Sequence, residues 1–178
     1  MVAALGMRLI TPSPRTTLPE FCRAIAALAI LVGPLTAFAE EWMESELTHP
    51  RHRPNHLSIF LGGTDNSEHS PASTLGIDYE RSLSDLLGIG AVIEHAAGAI
   101  DATTWLAVTD VHPTPQGLIF QLGIGAETSA EHDVFVARAG VLYEFEHRGF
   151  TLSPQLHWDY HDGLENAVVF GLAFGFAF

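Results

Sequence analysis

Val168-Val169-Phe170-Gly171-Leu172-Ala173-Phe174-Gly175-Phe176-Ala177-Phe178 is the stretch on which the fold turns. Val168, Phe170, Leu172, Phe174, Phe176 and Phe178 fall on every second position, with Val169, Gly171, Ala173, Gly175 and Ala177 between them. A period of two belongs to a strand, whose successive side chains point to opposite faces. The alternation runs back along the chain as far as His56. Phe150, Leu152, Leu156, Trp158 and Tyr160 oppose Thr151, Ser153, Gln155, His157 and Asp159. Phe135, Ala137, Ala139, Val141, Tyr143 and Phe145 oppose Val136, Arg138, Gly140, Leu142 and Glu144, and Leu118, Phe120, Leu122 and Ile124 oppose Ile119, Gln121, Gly123 and Gly125. Four earlier segments repeat the pattern at 57–62, 75–80, 89–94 and 105–111, the last being the least regular. Connectors at 64–71, 82–87, 97–102, 113–117, 128–133, 147–149 and 161–166 are short, so every neighbouring pair can close as a hairpin.

Eight hairpin-linked strands make an up-and-down meander long enough to close on itself. Alternation alone suits two such barrels, a soluble one with the large residues packed inside and a membrane one with them facing lipid. The opposite face decides between them. It holds Gly62, Gly76, Gly90, Gly123, Gly125, Gly140, Gly171 and Gly175 together with Asp78, Glu80, Glu94, Gln121, Arg138, Glu144, His157 and Asp159. A narrow interior has room for small residues and for groups that hydrogen-bond one another. A solvent-facing sheet would rarely carry so many glycines, since each weakens its strand and covers nothing. The expected fold is therefore all-β, an eight-stranded antiparallel up-and-down transmembrane β-barrel. With alternating strand directions, Trp105, Trp158 and Tyr160 gather near one rim and Tyr79, Tyr143, Phe145, Phe150, Phe176 and Phe178 near the other, as belts at two membrane interfaces would.

The stretch 168–178, apolar at every second position and aromatic at its end, resembles the closing strand by which bacterial outer-membrane barrels are recognised by their assembly machinery. From His56 to Phe178 the chain is similar to the small eight-stranded bacterial outer-membrane β-barrel proteins, in architecture rather than through a motif of one family. The resemblance implies a place in the bacterial outer membrane and a structural or envelope-maintenance role. It also implies outer-membrane lipid, lipopolysaccharide and the barrel assembly machinery as partners. A monomer is expected.

The first residues read as a leader. Arg8, Arg15 and Arg23 precede an apolar run from Ala24 to Val32, and Ala37-Phe38-Ala39 has the small-x-small pattern of a signal-peptidase site. The run falls short of the roughly 20 apolar residues a membrane helix needs and is followed by Gly33 and Pro34. Residues 1–39 are thus expected to be a cleaved signal peptide, 40–55 a flexible periplasmic lead-in containing Pro50 and Pro54, and 56–178 the barrel. Cys22, the single cysteine, leaves with the leader, so neither a disulfide nor a thiolate site is expected. Taking Arg8, Arg15 and Arg23 from the eight basic residues and Glu20 from the 21 acids leaves five against 20, a formal net charge of −15. Phosphate binding needs a basic surface, so neither a nucleic-acid partner nor docking on anionic lipid is expected.

Chemistry is sparser than composition suggests. Of the ten histidines, His49, His52 and His56 recur at short intervals, but they lie in or beside the proline-rich lead-in and have no cysteine among them. A zinc site needs three or four ligands converging on one point, so solvated histidines account for them better and no metal or other cofactor is expected. A lipid-modifying enzyme is one alternative. His157 and Asp159 share a face with Ser153, yet in the lipid A deacylases the nucleophilic Ser follows the His by two residues, where this chain has Asp159. A soluble periplasmic ligand-binding barrel is another, similar to lipocalins in size but lacking their early Gly-x-Trp motif. No catalytic residue is expected. The loop acids Asp65, Glu68, Asp101, Glu131, Asp133, Asp162 and Glu165 read as solvated charges that keep the rim wet, ahead of a divalent-cation role.

The candidate site is the lumen-facing polar set Arg138, Asp159, Glu94, His157, Gln121 and Glu144, read as a structural network that satisfies charge in a lumen closed by packing, ahead of one that itself plugs the lumen. Arg138 is the only inner-face base other than histidine, and burying it unpaired would cost several kcal/mol. With the turn at 147–149, residues facing each other across the sixth and seventh segments have numbers summing to about 297, which sets Asp159 opposite Arg138. Glu94, across the lumen, is the second expected partner.

Overall fold

A computed structural model describes residues 53–66, 70–131 and 133–178. The leader expected over 1–39 and all but the last three residues of the lead-in lie outside the described residues. The strands are β1 (Asn55–Asn66), β2 (Ala72–Ser82), β3 (Leu87–Ala96), β4 (Ala102–Val111), β5 (Leu118–Thr128), β6 (Asp133–Tyr143), β7 (Phe145–His147), β8 (Phe150–His161) and β9 (Ala167–Ala177). Each pairs antiparallel with its neighbours, β1 pairs with β9, and the sheet closes into a barrel. The two chain ends of the barrel, Asn55 and Phe178, meet at one end of the cylinder, called here the terminal end.

Nine strands make eight staves because β6 and β7 are one stave with a gap. Leu142 faces Gln155 and Phe145 faces Leu152, so both halves keep a single register against β8. The unpaired positions, Tyr143 and Glu144, lie opposite Pro154 and Ser153, and the proline ring nitrogen has no hydrogen to donate to the ladder. On its other side Glu144 keeps its place, its N–H donating to the Gly117 carbonyl at 2.8 Å. The β7–β8 turn is the tightest in the barrel: His147 pairs with Phe150, and Arg148 and Gly149 between them both have positive φ, 54° and 85°. Two left-handed residues in a two-residue loop follow the natural twist of the flanking strands.

The strands run a residue or more past the alternating segments. Asn55 opens β1, its N–H and carbonyl exchanging hydrogen bonds with the Phe178 carbonyl and N–H at 3.1 and 2.8 Å. The last residues of the lead-in are likewise tied to the wall, since Arg53 Nη1 donates to the Ala177 carbonyl at 2.9 Å. Asp133, read from sequence as a loop acid, is the first residue of β6 and faces Thr128 of β5.

Large apolar side chains stand on the outside. Ile77, Leu122 and Phe174 are 53%, 58% and 54% exposed. Trp158 and Tyr160 stack at a centroid distance of 6.5 Å near the far end, while Tyr143 with Phe145 and Phe176 with Phe178 stack at 4.8 and 5.4 Å near the terminal end. The inner face is close-packed through complementarity between glycines and long side chains. A methyl at Gly171 would stand 2.8 Å from the Phe60 ring, and one at Gly140 would stand 2.1 Å from His157 Nδ1, its register partner. Phe60 packs with Val169 and Ala173 on one side of the lumen, and Val92, Leu106, Val108 and Val136 form a second apolar cluster on the other.

Not every glycine is equally constrained. A methyl at Gly125 would stand 1.8 Å from the Trp105 carbonyl oxygen, a backbone atom that moves only with its strand. At Gly123 the nearest atom is Val108 Cγ1 at 3.1 Å, which a side-chain adjustment can relieve. Gly125→Ala is expected to cost at least the roughly 1–3 kcal/mol of an overpacked core, and Gly123→Ala clearly less. Denaturant titration of both variants checks this, and equal midpoints would contradict the packing described.

Candidate functional site

The lumen is crossed by one charged bridge. β6 carries Arg138 and β8 carries Asp159 directly opposite it, while β3, on the far side of the cylinder, carries Glu94. Arg138 Nε donates to Asp159 Oδ1 at 2.7 Å and Nη2 to Asp159 Oδ2 at 2.7 Å, a two-pronged contact, and Nη2 also donates to Glu94 Oε2 at 2.6 Å. The bridge has room because glycines stand beside it: Gly123 is the register partner of Arg138, and Gly76 that of Glu94, where a methyl would meet Glu94 Cγ at 2.6 Å. The three side chains are all but fully buried, at 1%, 3% and 5% exposure for Arg138, Asp159 and Glu94. A guanidinium gripped on one edge by a carboxylate, with a second carboxylate at its tip, is neutralised where no water need reach it.

The other candidates lie apart from this bridge. Gln121 Nε2 donates to Asp78 Oδ2 at 3.3 Å. His157 Nε2 lies 3.0 Å from Gln155 Oε1, an amide oxygen that can only accept, so a proton on Nε2 completes the contact. Glu144 Oε2 is 3.6 Å from His56 Nε2, and His56 is also 2.7 Å from Thr151 Oγ1. Asp78 Oδ1, Asp110 Oδ1 and Gln121 Oε1, all deep in the lumen, have no hydrogen-bond partner within the described protein.

Each mouth of the lumen adds a histidine–carboxylate contact outside the candidate set. At the terminal end His112 Nε2 is 2.8 Å from Glu80 Oε1. At the far end Glu127 Oε2 accepts from Thr104 Oγ1 at 3.1 Å and lies 3.3 Å from His161 Nε2. The alternating segments as read from sequence stop at 111, 125 and 160, just short of His112, Glu127 and His161. Extending the parity of each segment by one or two residues would have placed all three on the inner face.

The same fold occurs among solved structures. The chain superposes on the N-terminal β-barrel domain of Pseudomonas aeruginosa OprF with a TM-score of 0.50 at 16% identity, covering 71% of this chain and 100% of that one. It has the fold of the small eight-stranded outer-membrane β-barrels. Other similar structures are a de novo designed transmembrane β-barrel, at TM-score 0.48 and 16% identity over 71% of this chain and 99% of that one, and the outer-membrane protein Ail of Yersinia pestis, at 0.47 and 10% over 68% and 99%. No protein-family model matches the sequence, and no curated protein matches it.

Within this outer-membrane-type barrel, the residues weighed as a hydrolase do not form a relay. Asp159, the acid that would orient a catalytic histidine, is held by Arg138, and His157 has Gln155 on Nε2 and no partner on Nδ1. Ser153 is buried on the same inner face of the barrel. Among the described residues no group of three or more His, Cys, Asp or Glu side chains is placed to hold a metal ion. His49 and His52 lie outside the described residues.

Proposed function

We propose that this protein is an integral barrel of the bacterial outer membrane with a structural or envelope-maintenance role and a lumen closed by its own side chains. The inverted wall carries the proposal: large apolar residues such as Ile59, Leu61 and Leu75 stand exposed on the outside, while Arg138, Asp159, Glu94 and Gln121 are buried within. Such a cylinder is costly in water and stable in hydrocarbon. The terminal end would face the periplasm, with outer-membrane lipid and lipopolysaccharide around the band. The aromatic-ended β9 would be offered to the assembly machinery. Short connectors at both ends leave little surface for a receptor or adhesin site, which favours a role exercised by the barrel body.

After expression in a Gram-negative host, the protein is expected to fractionate with the outer membrane and to resist extraction by high salt or alkali, because an apolar band rather than charge would hold it there. Recovery in the soluble periplasm would overturn the proposal and favour a soluble ligand-binding barrel.

A further inference from the structure

We propose that the outer wall carries a specific phospholipid site at its terminal end, with an acyl chain lying in a trough across β3 and β4 and an anionic phosphate headgroup held by Arg81. The inference rests on the outer-membrane assignment proposed above and adds a ligand to it.

The trough lies where small outward residues of adjacent strands stand side by side. Ala91 and Ala107 face each other in register on β3 and β4 and form its floor, with Thr109 beyond them. Tyr79 on β2 and Leu122 on β5 form its rims. The hollow measures about 740 Å³, within the range of about 300–1,000 Å³ usual for sites that hold small ligands. Larger residues stand on the same face away from it, Ile59 on β1 and Phe174 on β9 among them, while Ala137 and Ala139 make a second low stretch on β6 without an arginine at its end. A flexible apolar chain gains contact with both rims in the trough that it cannot make against a convex wall.

Arg81 sets the polar end. It is the next-to-last residue of β2, lines the trough and is exposed, and its guanidinium has no hydrogen bond or ion pair among the described residues. The other described arginines are placed otherwise: Arg138 is buried in its bridge, Arg53 donates to the Ala177 carbonyl, and Arg148 sits on the β7–β8 turn. At this end no acidic side chain faces outward from a strand; the nearest carboxylate along the chain, Asp85, is exposed in the β2–β3 connector and forms no ion pair with Arg81. A guanidinium with its stem on an apolar wall and its head at the interface is suited to a phosphodiester, which it can grip with two parallel hydrogen bonds. The surroundings place that head at a lipid surface. The Tyr79 hydroxyl donates to Asn55 Oδ1 at 2.8 Å, holding one rim, and the turn after Arg81 exposes Leu83 and Leu86, followed by Leu87 at the start of β3.

Native mass spectrometry of the purified barrel in neutral detergent, with added palmitoyl-oleoyl phosphatidylglycerol or phosphatidylcholine, tests the site. The unaltered protein is expected to retain one phosphatidylglycerol in preference to phosphatidylcholine. Arg81→Gln is expected to weaken retention about tenfold or more through loss of a charge-assisted contact, and Ala107→Phe to do the same by filling the floor. Arg148→Gln should retain the lipid as the unaltered protein does, and glycerol phosphate, which has the head without the chains, should not displace it. Equal retention of the two lipids, or unchanged retention in Arg81→Gln, overturns the site. So does a dimer that Ala107→Phe alone abolishes, which would give the trough to a second copy. In those cases the protein still needs detergent. Protein that stays monodisperse in plain buffer instead overturns the outer-membrane assignment itself.

Discussion

Replacing Ile77 by arginine is expected to destabilise the barrel by about 2–4 kcal/mol, the cost of a cation on a lipid-facing strand near the bilayer midplane. Ile77 is the middle residue of β2, stands outward, and has Ile59 and Ile93 as register partners on its two sides, so an arginine there finds neither an acid nor a nearby interface. The same substitution at Asp162, exposed in the β8–β9 connector, should leave stability within a few tenths of a kcal/mol. Unfolding in lipid vesicles measures both. Equal stability of the two variants would mean that the face carrying Ile77 is not in hydrocarbon.

Arg138→Ala is expected to cost more, about 3–5 kcal/mol, because it leaves Asp159 and Glu94 as uncompensated carboxylates in a closed lumen. Removing the charges together should restore most of that loss. In Arg138→Met/Asp159→Asn/Glu94→Gln no ion remains to be desolvated, and such replacements are often neutral or stabilising. If the triple variant is as unstable as the single one, the bridge matters through its shape rather than its charge. The same pair of proteins bears on whether the bridge plugs the lumen. In planar bilayers the unaltered barrel should be silent. Arg138→Ala should conduct if the bridge is the obstruction and stay silent if the packed apolar clusters close the lumen on their own.

The sequence discloses faces and local registers, and it conceals what depends on distant partners. Strand parity alone puts Arg138, Asp159, Glu94 and Gln121 on the inner side. Register can be counted wherever a tight turn pins it: with Arg148 and Gly149 at the tip, residue 138 must face residue 159. Glu94 lies beyond such counting, because β3 reaches β6 only across the lumen, and closure of the cylinder is what brings them together. The fitting of Phe60 against Gly171 is hidden for a related reason, since it depends on the register between the first and last strands, which no turn connects. Strand ends blur as well. Asp133 sits where apolar alternation fades but the ladder continues, and His112 where it fades but burial continues, so Asp133 reads as a loop residue and His112 does not register as a lumen residue. The trough over Ala91 and Ala107 leaves no mark in a hydropathy pattern, because alanine counts as apolar whether it fills space or vacates it.

The joining of β1 to β9 also sets an order of events in time. Every other seam links strands that are neighbours in sequence and needs only a short loop to close, whereas this one brings His56 against Ala177 across nearly the whole barrel. Hairpins can zip as soon as their two arms exist, but the last seam must wait for the final strand. Until then the sheet is open, with β1 presenting one unpaired rail of N–H and C=O groups to whatever strand comes near. Such a rail cannot be left bare in hydrocarbon, so curling and insertion must be nearly simultaneous, and a chain halted before β9 is a template for the wrong partner rather than a smaller barrel.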